Sequence, residues 1–140
     1  MEIYQTPFGQ IEVDPETVIT FPSGLPGFPE CKRYKLLHEE RPDPQVLWLQ
    51  SLDDADVCFS VIEADRLGLN YQIVLSDAEC AEIDLENQED VRLLLILSRK
   101  QEEVAASISA NAQAPIVLNL QARKAMQKIG LRADIVFRNV

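Results

Sequence analysis

Eight residues near the N-terminus, Phe21-Pro-Ser-Gly-Leu-Pro-Gly-Phe28, constrain the fold more than any other segment. Pro26 presets the backbone for position i+1 of a type II turn, and Gly27 accepts the positive φ of position i+2 at little cost. The chain is therefore predicted to reverse direction here. Phe21 and Phe28 are expected to bury in a core on either side of the reversal and so to pin the loop.

The length of 140 residues suits a single domain, residues 1–140, that folds without disulfides or metal. No apolar run is long enough to span a membrane, and the N-terminus lacks a secretory pattern, so we expect a cytoplasmic protein. Cys31, Cys58 and Cys80 are odd in number and widely spaced. They predict free thiols rather than a zinc site or a disulfide framework, and we expect no metal and no cofactor.

Charge is unevenly distributed along the chain. The 23 acidic and 13 basic residues leave a net charge of −10, and twelve acidic residues with one arginine lie between Asp53 and Asp90. Such a segment repels nucleic-acid phosphates and attracts a basic protein, although solubility alone also explains an acidic surface. The candidate partner-binding residues are Asp53, Asp54, Asp56, Glu63, Asp65, Asp77, Glu79 and Glu82.

The last twenty residues have the opposite charge, with five basic residues against one acidic residue. Two arrangements therefore stay open. The acidic segment is exposed to a partner, or the basic C-terminal residues fold over it and neutralise part of its charge.

Most of the sequence predicts about ten short β-strands separated by turns. The run 57–62 has apolar residues on both faces, which indicates a central strand. We predict a mainly β, antiparallel single domain with one or two short helices. The predicted strands are 3–6, 10–13, 18–21, 34–38, 46–52, 57–62, 71–75, 91–97, 105–110, 115–118 and 133–137.

Helix signals are few. In Ser76-Asp-Ala-Glu79 the serine can cap the Glu79 amide while the glutamate reaches back to the Ser76 amide, which predicts a helix of about two turns ending near Ile83. Residues 122–129 fit both the helical and the strand spacing, and both interpretations stay open.

Sequence motifs for catalysis are missing: there is no phosphate-binding glycine loop, nucleophile elbow or zinc-protease motif. Asp53, Asp54 and Asp56 form the densest carboxylate cluster, which is best explained as a solvated turn because an EF-hand needs further ligands and a glycine. The alternative function is a small-molecule or sugar-processing enzyme that uses these carboxylates with His38, the single histidine. A structural β-barrel subunit is a third hypothesis, but the lack of catalytic motifs favours a binding protein.

Four motifs in register resemble one family. They are Phe21–Phe28, Trp48-Leu-Gln-Ser-Leu-Asp-Asp54, Phe59-Ser-Val-Ile62, and Asn111 with Ala114-Pro-Ile-Val-Leu-Asn119, followed by Gln127. From about residue 6 to 127 the chain resembles the FliW family of flagellar assembly factors. The residues that carry the resemblance are Phe21, Gly24, Pro26, Gly27, Phe28, Trp48, Asn111, Pro115 and Asn119.

The resemblance implies a small barrel-like β domain that is not an enzyme. It also implies two partners: newly made flagellin, and the RNA-binding translational regulator CsrA, which the protein captures once flagellin has been secreted. CsrA is small and basic, so the acidic segment would attract it in a salt-dependent way. Flagellin termini are amphipathic helices, which require a hydrophobic groove with a polar rim. The apolar neighbours of Trp48 predict that it belongs to the core rather than to an interface.

Overall fold

Twelve β-strands and one short α-helix form most of the regular structure in the part of the chain that the computed structural model describes, which is residues 2–38, 46–67, 69–70, 73–100, 107–110, 114–129 and 136–137. The strands are β1 (Glu2–Thr6), β2 (Gly9–Val13), β3 (Ile19–Thr20), β4 (Arg33–His38), β5 (Val46–Ser51), β6 (Cys58–Glu63), β7 (Leu69–Asn70), β8 (Val91–Lys100), β9 (Ser107–Ala110), β10 (Ile116–Asn119), β11 (Lys124–Gln127) and β12 (Val136–Phe137). The α-helix is α1 (Asp77–Glu82), and 3₁₀ turns span Pro15–Thr17, Ala64–Leu67 and Gln88–Asp90. No described helix is long and apolar enough to cross a membrane.

Seven strands close into a barrel in the order β10-β11-β3-β4-β5-β6-β8, because β10 pairs with β8 as well as with β11. Strand β8 supports three neighbours in turn: β10 along its first half, β6 near its middle and β9 along its end. All of these pairings are antiparallel, while β11 and β3 are joined in parallel by one residue pair. The predicted mainly β, barrel-like fold is confirmed, with more strands than the ten expected.

The core follows from strand register, since residues directly opposite each other on paired strands face the same side. Leu49 lies opposite both Leu36 and Phe59; Leu49 is buried in the core, and the other two are partly buried and pack against it. The Phe21 and Tyr34 rings meet edge to face at 5.0 Å between centroids. The buried core residues are Ile19, Phe21, Leu25, Cys31, Tyr34, Leu49, Val57, Val61, Leu94, Ile116, Leu118 and Ala125.

A second apolar cluster lies on the outer face of the same sheet. Leu95 is fully buried there against Ile62 and Ala64. Strands β6 and β8 therefore present apolar side chains to both faces. The prediction that 57–62 forms a central strand is borne out, because β6 lies between β5 and β8.

The position of Trp48 differs from the expectation. Trp48 lies on the outer face of β5 and is half-buried, with its ring 5.2 Å from that of Phe8 in the β1–β2 hairpin turn. The expectation that Trp48 belongs to the core is therefore wrong, since strand alternation directs Leu47 and Leu49 inward instead.

The predicted strand 71–75 is not found for residues 73–75, which belong to no strand; residues 71–72 lie outside the described part of the chain. The apolar run misled because Val74 is 83% exposed and this segment leads into the cap of α1 rather than into a sheet. Over residues 122–129 the structure selects strand. In β11 the buried Ala125 packs inward, and the backbone of β11 pairs with that of β10 in an antiparallel ladder.

Candidate partner-binding surface around helix α1

The reversal at Pro26 and Gly27 forms as predicted. The Phe28 amide donates to the Leu25 carbonyl at 2.8 Å, and Gly27 has a φ of +87°. These are the bond and the backbone angle of a type II turn. Phe21 is buried, but Phe28 is 40% exposed and packs edge to face on Phe59 at 5.4 Å, so the expectation of two buried anchors holds only for Phe21. The tight turn leaves Phe28 on the barrel surface.

The helix α1 begins with the predicted capping box. The Glu79 amide donates to the Ser76 hydroxyl at 3.1 Å, and the Ser76 amide donates to the Glu79 carboxylate at 2.9 Å. The same carboxylate accepts a bond from the Lys128 ammonium at 2.6 Å. Lys128, followed by the Ser76 amide, holds the pKa of Glu79 below its ordinary value. Glu79 thus both caps the helix and ties it to the chain after β11.

Two further carboxylates fasten the C-terminal end of α1. The Ser23 hydroxyl donates to Glu82, which links the helix to the Phe21–Phe28 segment. Lys124 in β11 donates to Asp84 at 2.5 Å. The alternative in which basic C-terminal residues neutralise part of the acidic segment is therefore correct for Lys124 and Lys128. Arg132 and Arg138 lie outside the described residues.

Asn119 holds the chain just after α1. Its buried side-chain amide donates to the carbonyls of Ile83 and Asp84 at 2.9 and 3.1 Å, and its oxygen accepts from the Gln121 amide at 3.1 Å. Ile83 is fully buried, whereas no residue of α1 itself is buried. Asn119 and Ile83 therefore fix the base of the helix while the helix lies on the surface.

Three clefts surround α1. Cleft A, about 330 Å³, lies between the helix and the outer face of β8 and has mainly apolar walls that include Ile73 and Leu93. Cleft B, about 480 Å³, lies between the end of α1 and the β10–β11 turn at Gln121. Cleft C, about 320 Å³, lies between α1, the Ser23–Pro29 turn and Met126. A partner that contacts α1 would therefore meet both apolar pockets and carboxylates.

The Asp53, Asp54 and Asp56 cluster is a structured turn between β5 and β6. The Asp53 carboxylate accepts from the backbone amides of Lys32 and Arg33, both at 2.9 Å, and from the Arg33 guanidinium at 3.0 and 3.1 Å. Burial works to raise the pKa of Asp53, but these four bonds outweigh it and lower the pKa. Asp53 thus links the end of β5 to the start of β4, and its carboxylate binds groups of this chain rather than a partner.

The Asp53 bonds predict a pH-dependent stability. Because the pKa is lowered on folding, the stabilisation is complete above the ordinary carboxyl pKa of 3.8 and is lost as the pH falls through the lower value in the folded protein. Asp53→Asn should therefore be less stable than the parent at neutral pH, and the gap should narrow in strong acid. Urea unfolding of both proteins, from neutral pH to strong acid, measures the difference in their free energies of unfolding. Asp54→Asn removes the same charge without touching Arg33, and an equal, equally pH-dependent loss in that control would contradict the assignment.

The remaining candidate residues are dispersed. Asp54 accepts from the Asp56 amide at 3.0 Å within the turn, and Asp56 is exposed. Glu63 is half-buried at the end of β6, and Asp65 is exposed in the following 3₁₀ turn. Asp77 is exposed in the first turn of α1, close in sequence to Glu79 and Glu82.

Of the family-motif residues Pro115 and Asn111, the structure describes only Pro115. Pro115 is buried beside β10, where its carbonyl accepts from the Lys128 amide at 3.0 Å. Asn111 lies outside the described residues.

The alternative enzyme site does not come together. His38 ends β4, whereas Asp53 binds Arg33 at the start of the same strand. At about 3.3 Å per residue, the five residue steps between these positions span roughly 16 Å. That separation is too large for proton transfer between the two side chains. In the described part of the chain no three His, Cys, Asp or Glu side chains are grouped to hold a metal ion.

Sequence reasoning missed several partners of the acidic residues. Arg33 binds Asp53 across 20 positions, and Ser23 binds Glu82 across 59. No local spacing signals such pairs. The only available signal was the opposite charge of the C-terminal residues, which does anticipate Lys124 and Lys128.

The described residues form a small closed β-barrel with an acidic helix on its surface, and comparison with known proteins gives the class of protein as the flagellar assembly factors. A crystal structure of the flagellar assembly factor FliW superposes with a TM-score of 0.81 at 29% identity, covering 99% of this chain and 95% of that one. The family model for FliW protein matches residues 2–138. The chain belongs to the FliW family.

Two relatives support this assignment. The flagellar assembly factor FliW of Chromobacterium violaceum is 43% identical over 135 residues, which cover 91% of this chain and 92% of the relative. The flagellar assembly factor FliW of an Azoarcus species is 44% identical over 144 residues, covering 99% and 98%. The resemblance seen in the sequence motifs is therefore confirmed.

Proposed function

We propose that this flagellar assembly factor acts in the cytoplasm by binding two proteins, flagellin and the RNA-binding regulator CsrA. In this scheme capture of CsrA relieves repression of flagellin translation, and flagellin controls how much of the factor is free. Membership of the FliW family supports the scheme, and the surface around α1 supplies the physical argument for it.

One observation carries the CsrA part of the proposal. Seven acidic residues and no basic residue lie from Asp77 to Asp90, and Asp77, Asp84, Glu86 and Glu89 are exposed. Lys128 and Lys124 pair with two of the seven, so this segment keeps a clear excess of negative charge. Charge of this kind accelerates the encounter with a basic partner.

Cleft A supports the flagellin part. An amphipathic helix buries its apolar face in a hydrophobic groove with a polar rim. Cleft A has apolar walls from the 73–75 segment and β8, Val74 in its wall is 83% exposed, and Gln88 adds a polar residue to its lining. An apolar groove that lies beside the acidic segment 77–90 is suited to such a helix.

We expect Glu86→Gln with Glu89→Gln to slow association with CsrA by about fivefold at low salt, because each exposed charge adds to the attraction before contact. The loss should shrink as salt screens the field. Stopped-flow or surface-plasmon kinetics at two salt concentrations measures the rate. Isothermal titration of the parent with CsrA, followed by flagellin in competition, tests the two-partner scheme itself.

The matched control is Glu12→Gln with Glu30→Gln, which removes two exposed charges far along the chain from the acidic segment. Equal slowing by both pairs would mean that net charge alone attracts CsrA, and would remove the assignment to this surface. Absence of CsrA binding to the parent at low salt would overturn the proposed function.

A further inference from the structure

Helix α1 separates the three clefts from one another. Cys80 lines both cleft A and cleft B, Ala81 lines cleft B, and Glu82 lines cleft C. Each cleft therefore has one wall made by this six-residue helix. If the helix left the surface, the walls between the clefts would leave with it, and one larger groove would replace them.

Two polar side-chain contacts attach α1 to the rest of the described structure. None of its six residues is buried, and the contacts that hold it are Glu79 to Lys128 and Glu82 to Ser23. A helix of two turns does not persist alone in water, because nucleation costs more than so few hydrogen bonds return. Its persistence here depends on these ties and on its capping box.

The base of the helix has the opposite character. Ile83 is fully buried, and Asn119 donates to the carbonyls of Ile83 and Asp84. Asp84 has a φ of +50°, and the Leu85 amide donates to the Cys80 carbonyl at 2.8 Å. The chain is thus firmly anchored immediately after a weakly anchored helix, which is the arrangement of a hinge beside a detachable segment.

We propose that residues 76–82 form a releasable strap. The strap is latched by the Glu79–Lys128 ion pair, opens about the Ile83–Asp84 anchor without unfolding of the barrel, and joins clefts A, B and C into one groove when it opens. This inference rests on the contacts of α1 and does not depend on which partners bind.

The test removes the latch and measures local opening. Lys128→Met keeps the length of the side chain and removes its charge. Amide hydrogen exchange at residues 79–83 should speed up by about threefold to tenfold, as expected for loss of one partly buried ion pair. The barrel amides of Leu94 and Leu95 should exchange at the parental rate. High salt should accelerate hydrogen exchange of the same α1 amides in the parent, and should accelerate it less in the Lys128→Met variant.

A second readout uses the native thiol of Cys80, which lies on the strap and is half-buried. In a Cys58→Ser background, so that Cys80 is the more accessible of the two remaining thiols, maleimide labelling of Cys80 should accelerate with Lys128→Met by a factor similar to that of exchange. Lys35→Met is the control: Lys35 binds Thr17 at 2.9 Å, and its loss removes the same charge from a different surface.

Three outcomes would overturn the proposal. Exchange of the α1 amides at the rate of Leu94 and Leu95 would show that the helix opens only on global unfolding. Equal acceleration throughout the barrel by Lys128→Met would show general destabilisation. Equal effects of Lys35→Met and Lys128→Met on α1 would show that net charge, rather than the latch, controls the strap.

Discussion

Replacing Gly24 by alanine is expected to lower the free energy of unfolding by about 3 kcal/mol, the largest loss from one methyl group that we predict for this chain. Gly24 has a φ of +69°, and a Cβ added there would lie 2.7 Å from the Pro29 carbonyl oxygen and 2.8 Å from the Pro29 Cα. These are backbone atoms, so the contact cannot be relieved by a side-chain rotation. Thermal unfolding should show a loss of roughly 10 °C.

Gly27→Ala provides the matched control. Gly27 has a φ of +87°, but a Cβ there would meet nothing within 4 Å. Its cost is the strain of a left-handed alanine alone, about 1 kcal/mol, or a fall of about 3 °C in the melting temperature. If Gly24→Ala were as stable as Gly27→Ala, the close approach of Gly24 to Pro29 would be wrong.

Asn119→Ala is expected to cost about 2 to 3 kcal/mol of stability. The change deletes two bonds donated to the Ile83 and Asp84 carbonyls and one accepted from the Gln121 amide, in a site where Asn119 has no exposure. Buried backbone groups left without partners cost more than the bonds themselves contribute. Urea unfolding gives the free energy of unfolding, and faster hydrogen exchange at residues 83–85 would show that the loss is local to the segment that Asn119 anchors.

Gln121→Ala is the control for Asn119. Gln121 is exposed and takes part through its backbone amide, which the substitution leaves in place. Its unfolding free energy should stay within about 0.5 kcal/mol of the parent. A similarly small change for Asn119→Ala would mean that water replaces the three bonds and that the base of α1 has another anchor.

Prediction from the sequence worked best where neighbouring residues determine the structure. The capping box of α1 and the Pro26–Gly27 turn both formed, because each depends on bonds or backbone angles within four residues. The central place of β6 also agrees with its apolar residues on both faces. The strand prediction failed for residues 73–75, because a short apolar run cannot by itself show whether another strand lies alongside.

The surface was less predictable than the fold. Asp53 looked like a free carboxylate but is held by Lys32 and Arg33, and Phe28 looked like a core anchor but rests on Phe59 at the surface. Each outcome depends on residues 20 or more positions away. Their approach is determined by how the barrel closes, for which no spacing in the sequence provides a signal.

By itself the sequence determined the family, the β-rich class of the fold, the turn at Gly27 and the cap at Ser76, because motif order and local backbone chemistry are carried by adjacent residues. Only the tertiary structure decided which carboxylates are occupied, that β11 is a strand, and that α1 is fastened by Lys128 and stands among three clefts. The physical reason is that ion pairs and buried contacts depend on the distance between side chains, and barrel closure brings together residues that the chain keeps far apart.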